Sequence, residues 1–385
     1  MLLINAKIYS MDIDPIDNGY LWIDGEKIGE LGEMSRLSRT DDDTVDLQGK
    51  RIYPGFIDAH THLGMFEDGL TFEGDDGNEE TDPITPQLRA VDAVNPMDRC
   101  FSEALDAGVT TVVTGPGSAN AIAGQMLAMK TSGRRIDDMI LREPAAIKFA
   151  LGENPKSVYH GKNQMPSTRM ATAAVIREQL TKARRYQQEK RNALENSEEF
   201  DCPEYDAKCE ALLPLLEKKI SAHFHAHRAD DIFTAIRIAK EFDIDYVIVH
   251  GTEGHLIPLE LKEEHASVLA GPILCDRSKP ELKQLTPKNP GILADAGIET
   301  AIITDHPVIP IQYLPICAAL AVREGMTEQQ ALRAITTIPA RICGLGRRVG
   351  ALKPGMDADF SVFEQNPLQL TAKPIMVYCN GKRVR

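Results

Sequence analysis

Apolar and polar positions vary in short runs at both ends of the chain and in longer cycles between them. Residues 2–8, Gly19-Tyr20-Leu21-Trp22-Ile23 and Lys27-Ile28-Gly29 read as short strands, with Asp24-Gly25 as a hairpin turn. From Phe56 to about Leu345, apolar runs at 110–114, 145–151, 220–224, 246–249, 268–274 and 300–304 read as buried strands. Helical patterns lie between them, at 169–198, 229–242 and 327–336. The tail returns to strand signals at 349–363 and 375–385, with Asn380-Gly381 as a turn. Strand–helix alternation over this length predicts an α/β fold, a (β/α)8 TIM barrel at 54–345. The two β-rich ends, 1–53 and 346–385, are expected to pair into one small, discontinuous β-sandwich domain.

Composition narrows the function classes. The chain has 385 residues, enough for an enzyme-sized core, and a formal charge of −14 with a pI near 5.2. A polyanionic partner would be repelled, so nucleic acid and anionic membranes are disfavoured and a small-molecule substrate is expected. The start lacks a basic segment followed by a long apolar one, and no apolar run approaches a membrane span, so a cytoplasmic location is expected. Seven cysteines, widely spaced and without a Cys-x-x-Cys pair, indicate neither a disulfide framework nor a cysteine zinc site.

The chemistry begins at Pro54-Gly55-Phe56-Ile57-Asp58-Ala59-His60-Thr61-His62. Residues i and i+2 of a strand point the same way, so His60 and His62 stand about 6–7 Å apart along the backbone and can converge on one divalent ion. Two histidines on a strand are also ordinary polar residues near a surface. Three more groups land at the ends of apolar runs, where barrel enzymes keep their chemistry: His225, His250 and Asp305. A carboxylate at a buried strand end is costly without a metal or a protonated partner.

His60-x-His62, His225, His250 and Asp305 in that order, with the Gly350-Ala351-Leu352-Lys353-Pro354-Gly355-Met356-Asp357-Ala358-Asp359 tail, resemble the metal-dependent amidohydrolase superfamily. The resemblance covers essentially the whole chain and points to the imidazolonepropionase/prolidase-like branch of cyclic amidases, dipeptidases and deacetylases. It implies that His60, His62 and Asp305 bind one metal, most simply Zn²⁺, and that His225 and His250 bind a second where one is present. It also implies a bridging ligand, either a carboxylated Lys148, whose amine burial would make neutral, or Glu153. The sequence leaves both open, as it does one ion or two.

The expected activity is hydrolysis of a C–N amide bond, linear or cyclic, in an N-acyl amino acid or dipeptide, with Asp305 relaying the proton of a metal-activated water. The rival reaction is that of a deaminase or an imidazolonepropionase-like ring hydrolase with a mononuclear site. Such relatives tend to carry a glutamate three residues after the strand-five histidine, where this chain has Arg228. Arginine is no general base at neutral pH, which weakens that alternative. An inactive scaffold of the same fold is a third reading, opposed by the complete ligand set. His227, Arg228, His255 and Arg277 are candidates for holding substrate, the arginines through a carboxylate, although each arginine also has an acidic neighbour for a plain salt bridge.

Three stretches stand out without clear chemistry. The acidic, glycine-rich 67–82 reads as a lid or a solvated loop. The charged run 169–210 reads as an outer helix with a loose insertion, and Gly115–Gly124 as a loop lining the pocket. Homo-oligomers are common among such barrels, and one is compatible with this sequence.

Overall fold

The computed structural model describes residues 1–67 and 71–385. The first strands are β1 (Leu2–Ile8), β2 (Ile16–Asp24), β3 (Lys27–Glu33), β4 (Thr44–Asp46) and β5 (Arg51–Pro54). The middle of the chain supplies β6 (Phe56–Thr61), β7 (Val109–Thr114), β8 (Ile122–Lys130), β9 (Ile140–Ala150), β10 (Ser221–Ala226), β11 (Tyr246–His250), β12 (Ser267–Ala270) and β13 (Thr300–Ile302). The C-terminal part adds β14 (Phe360–Phe363), β15 (Pro374–Cys379) and β16 (Lys382–Arg383).

The two ends of the chain share one mixed eight-stranded sheet, in the order β16-β15-β14-β5-β1-β2-β3 with β4 beside β1. Strand β1 holds two parallel partners in succession, β4 at Leu2–Ile4 and β5 at Lys7 and Ile8, while the other pairings are antiparallel. Leu3, Ile8, Leu21, Ile28, Ile52, Phe360 and Val362 form its core, so N- and C-terminal residues bury one another. Both turns expected from the sequence are present. Asp24 pairs with Lys27 around Gly25 (φ 59°), and Cys379 pairs with Lys382 around Asn380 (φ 49°) and Gly381 (φ 73°), the positive φ values that short hairpin loops require.

The second sheet also has eight strands, β6 to β13 in sequence order, and nearly closes into a barrel. Where the ladder is open, between β13 and β6, Asp58 Oδ2 accepts hydrogen bonds from the backbone N–H (3.0 Å) and Oγ1 (2.6 Å) of Thr304. The pairings are parallel except those of β8, which is antiparallel to both β7 and β9. A parallel return needs a crossover of roughly a dozen residues or more, and the connections 115–121 and 131–139 are shorter than that. The strand–helix alternation expected throughout is therefore replaced locally by a meander.

Helices cover the outer face. In Ala229–Phe242 the buried residues Ile232, Ala235, Ile236, Ala239 and Phe242 fall at helical spacing and meet Phe224 of β10 and Ile248 of β11. Asp230 and Asp231 lie in its first turn, where the helix dipole favours negative charge. The long helix Arg169–Glu195 starts at Thr168, whose side chain accepts from Ala171 N, and residues 196–206 form the irregular insertion before the helix Ala207–Leu216. Among the described residues no helix is long and apolar enough to cross a membrane.

Candidate metal centre

Strand parity places the site. On β10, Ala222, Phe224 and Ala226 pack into the helical layer, which turns His223 and His225 to the opposite face. On β9, Ile147 and Phe149 join the same layer, and Lys148 between them pairs in register with His223. On β6, Asp58, His60 and His62 occupy alternate positions at the strand end. His250 at the end of β11 and Asp305 after β13 have left-handed backbones (φ 74° and 57°), a conformation costing about 1 kcal/mol or more that re-aims each side chain just past its strand.

The ends of these strands bring two clusters together. His60, His62 and Asp305 form one, and His225, His227 and His250 the other; within each, one ligand atom per residue lies within 4.8 Å of the rest. In the first, Asp305 Oδ1 stands 3.5 Å from His60 Nε2 and 3.4 Å from His62 Nε2. Lys148 Nζ is 2.8 Å from His60 Nε2. In the second, the His227 and His250 rings stack with centroids 4.4 Å apart, and His225 meets both edge-on at 4.7 and 4.5 Å. Contact between His60 and His250, with ring centroids 5.7 Å apart, joins the clusters.

Hydrogen bonds to the outer ring nitrogens fix which nitrogen faces inward. His62 Nδ1 donates to Gly115 O at 2.7 Å and His250 Nδ1 to Gly271 O at 2.8 Å, which leaves Nε2 of each with a free lone pair. His227 Nδ1 lies 2.7 Å from Thr252 Oγ1. Burial, and after it the neighbouring charges of Lys148, His250 and other site residues, holds His60, His225 and His227 well below the usual imidazole pKa. Burial brings His250 down to about 4 despite the opposing pull of Asp305. Burial lowers Lys148 to about 8, so a neutral amine is accessible near neutral pH. Burial alone would raise the Asp305 carboxyl, but His250, His62 and Lys148 outweigh it and keep the group below the ordinary carboxylate range.

A divalent ion fits this environment. Neutral imidazoles and an ionised carboxylate are the donor set for zinc and similar ions. Asp305 Oδ1 and His225 Nε2 are buried without a hydrogen-bond partner, a costly condition that a bound cation would relieve. Both clusters open into a cavity of ≈ 300 Å³, lined by His62, Lys148, His225, His227, His250 and Asp305 at the metal end. Asn78, Ser118, Asn154 and Lys279 give its wall polar groups, while Phe66, Leu282 and Val308 are apolar.

The residues singled out in the sequence divide accordingly. His62, Asp305, Lys148, His225 and His250 line the cavity with His60 clustered behind His62 and Asp305, and His227, expected to contact substrate, lines the same cavity beside His225 and His250. Glu153 begins the helix Glu153–Gly161 and turns its backbone N–H, 3.0 Å away, to Glu281 Oε2; it is not among the described lining residues. Nor are Arg228, His255 and Arg277. Arg228 is held in two hydrogen bonds by Asp230 (2.9 and 2.8 Å), His255 sits in the turn Gly254–Leu256 tied to Asn289, and Arg277 donates to Leu285 O at 2.8 Å. The acidic stretch 67–82 contributes Asn78, whose side chain accepts from Ala119 N; residues 68–70 of that stretch lie outside the described residues.

Sequence reading missed Lys279 and Glu281. Both belong to Lys279-Pro280-Glu281, whose charge suggests a surface turn, yet Glu281 is 1 % exposed. Asp58 was missed as well, although it shares the parity of the two metal histidines. Burial raises its pKa to about 7 against the hydrogen bonds from Thr304 and His60 N–H.

Comparison with known proteins agrees with this geometry. Residues 51–384 match the model of the Amidohydrolase family. The crystal structure of an amidohydrolase from Thermotoga maritima MSB8 superposes with a TM-score of 0.96 at 42% identity, covering 100% of this chain and 99% of that one. Amidohydrolase tasK of Hapsidospora irregularis is 28% identical over 94% of this chain, which spans 40% of that longer protein. The imidazolonepropionase of Streptomyces coelicolor is 24% identical over 89% of this chain and 84% of its own length. With the fold and the buried His/His/Asp cluster already in place, these matches identify the chain as a member of the amidohydrolase superfamily of metal-dependent hydrolases.

Proposed function

We propose that this protein hydrolyses the C–N bond of a small amide, in an N-acyl amino acid, a dipeptide or a cyclic amide, with Zn²⁺ at the strand ends. The observation that carries the reading is the His60–His62–Asp305 cluster, with its unpartnered carboxylate oxygen, at the floor of a cavity sized for a small molecule. A divalent ion held there would supply Lewis-acid polarisation of the amide carbonyl and a water that ionises near neutral pH.

The protein's own groups supply the remainder. Asp305, kept ionised by its neighbours, accepts the proton of the attacking water and delivers it to the leaving nitrogen. The Asp58–Thr304 hydrogen bonds fix the residue next to Asp305, and so hold that carboxylate in place. Lys148, brought by burial to about 8, stands 2.8 Å from His60 Nε2 and can give up its proton at mildly alkaline pH to present a neutral amine there. Lys279, Asn154, Ser118 and Asn78 offer donors to the polar end of a substrate, and Phe66, Leu282 and Val308 face its apolar part.

A second reading, ring opening of a cyclic amide, draws on the likeness to imidazolonepropionases along most of the chain. The exposed Arg228–Asp230 pair, in place of a glutamate near His225, tells against a deaminase-type proton shuttle. The test is a panel of N-acyl amino acids, dipeptides, cyclic amides and amino-heterocycles assayed with the Zn²⁺-loaded protein. Release of an amine and a carboxylate, lost in Asp305→Asn, is expected. Ammonia from an amino-heterocycle, with no amide cleaved, would overturn the reading.

A further inference from the structure

The polar wall of the cavity is assembled from four connections between strands: Asn78 follows β6, Ser118 follows β7, Asn154 follows β9 and Lys279 follows β12. Their bonds to one another and to the backbone decide which polar groups remain for a ligand. Lys279 Nζ donates to Asn154 Oδ1 at 3.0 Å, and Asn154 Nδ2 donates to Ser118 Oγ at 2.7 Å. Asn78 Oδ1 accepts the backbone N–H of Ala119 at 3.1 Å. An ammonium and a backbone N–H can only donate, so each amide has its oxygen engaged and is left with N–H groups to offer. Among the described residues, the hydrogens still unspent are one on Lys279, one on Asn154, both on Asn78 Nδ2 and the hydroxyl hydrogen of Ser118. A wall so disposed to donate matches a ligand group that only accepts.

The wall also carries a fixed positive charge. Lys279 Nζ stands 2.6 Å from Glu281 Oε1, and Glu281, 1 % exposed, is tied through Oε2 to the backbone N–H of Glu153 at 3.0 Å. With Asn154 and Glu281 directing two of its three hydrogens, the ammonium is held at the cavity surface and does not snorkel outward. Asn154 lies in the first turn of the helix Glu153–Gly161, whose dipole favours negative charge there. Gly117 leaves room for the Asn78 amide, which a Cβ at that position would strike. Away from the metal end, the acidic residue of the lining is Asp276, which is exposed and accepts the backbone N–H of Arg277 at 2.7 Å.

We propose that Asn78, Ser118, Asn154 and Lys279 form a carboxylate-binding subsite, so that the substrate is an amide with a free carboxylate, an N-acyl amino acid or a dipeptide, in preference to a neutral cyclic amide. The proposal deepens the amide-hydrolase reading and rests on it for the cleaved end of the substrate. A carboxylate offers about four lone-pair positions and no hydrogen, and its bond to an ammonium is charge-assisted. A primary amide in its place would bring two N–H groups to a wall already rich in donors. Phe66, Leu282 and Val308 then face the apolar part of the same substrate.

Binding is measured by isothermal titration calorimetry on the Zn²⁺-loaded protein. The probes are 4-oxoalkanoic acids with apolar side chains, in which a methylene replaces the amide N–H so that nothing is cleaved, each beside its methyl ester. The acids are expected to bind about 10-fold or more tighter than the esters. Asn78→Asp keeps the acceptor for Ala119 N and replaces the unspent amide hydrogens with negative charge. Lys279→Met/Glu281→Gln removes the ion pair as a unit, so no lone charge is left buried. Both variants, shown to be folded by circular dichroism, are expected to lose the preference while binding the esters as before. Acids that bind wild type no more tightly than their esters, or a preference unchanged in both variants, would overturn the proposal. Should carboxylate-bearing amides and their esters nonetheless be cleaved alike, the hydrolase reading stands without the subsite. A preference for the acids with no amide cleaved would remove the hydrolase reading and leave the subsite.

Discussion

At the scale of single residues, the site is a set of imidazoles kept neutral by burial. An unfolded histidine titrates near 6.5, whereas His223 in the fold is brought down by burial to about 3 and His250 to about 4. These pKa values are depressed, so the unfolded state binds more protons between about 3 and 6.5. The stability from keeping each ring neutral is complete above pH 6.5 and is lost as pH falls. Asp58, raised by burial to about 7, acts in the opposite sense and loses stability as pH rises from about 4 to 7, but it is one group against several imidazoles. The metal-free protein should therefore be less stable at pH 5.5 than at pH 7.5, by about 1.4 kcal/mol for each neutral histidine. Urea unfolding in a chelating buffer checks this, and equal midpoints at the two pH values would contradict it. Thr304→Val tests Asp58 separately: it removes one of the two Thr304 donors to a fully buried carboxylate, and a loss of about 1–3 kcal/mol with a lower Tm is expected.

At the scale of elements, the legible parts were those where local pattern and tertiary role coincide. The His60-x-His62 pair could be read because strand parity holds for both residues, and His225, His250 and Asp305 because each follows an apolar run. Strand β8 was not legible. Its residues Ile122–Lys130 are apolar nearly throughout, and its direction is set by the lengths of the flanking loops and not by its own residues. Glu281 was hidden because its surroundings form only on folding, when the turn Pro280–Leu282 closes over Gly152 from a distant part of the chain. Gly152 gives a prediction at this scale. An alanine there would be strained at φ +82° and would crowd Glu281 and Asp231, so Gly152→Ala should lower stability by about 1–3 kcal/mol. Urea unfolding of the variant beside wild type measures this, and an unchanged midpoint would contradict it.

At the scale of the whole molecule, the barrel and the terminal sheet are joined by buried charge. Lys130, at the end of β8 and 3 % exposed, contacts Asp357 at 3.0 Å and also pairs with Asp359, in the segment leading to β14. Asp357 is further held by Lys27 of β3 at 2.5 Å and by Arg348 at 2.9 Å. Removing one member of such a group leaves its partner charged and buried, so Lys130→Met should cost about 3–5 kcal/mol, measurable by urea unfolding. The barrel in turn provides what the site needs, eight strand ends around one cavity, and most of the histidines and carboxylates discussed above meet there. The central claim is that a divalent ion at His60, His62 and Asp305 enables amide hydrolysis. The most direct measurement is turnover of a hydrolysed amide by chelator-stripped protein titrated with Zn²⁺, in wild type and in Asp305→Asn. Activity absent from the stripped protein, restored in proportion to bound ion, and reduced on the order of 100-fold or more in the variant is the predicted result. Full turnover by the stripped protein, or by Asp305→Asn, would contradict it.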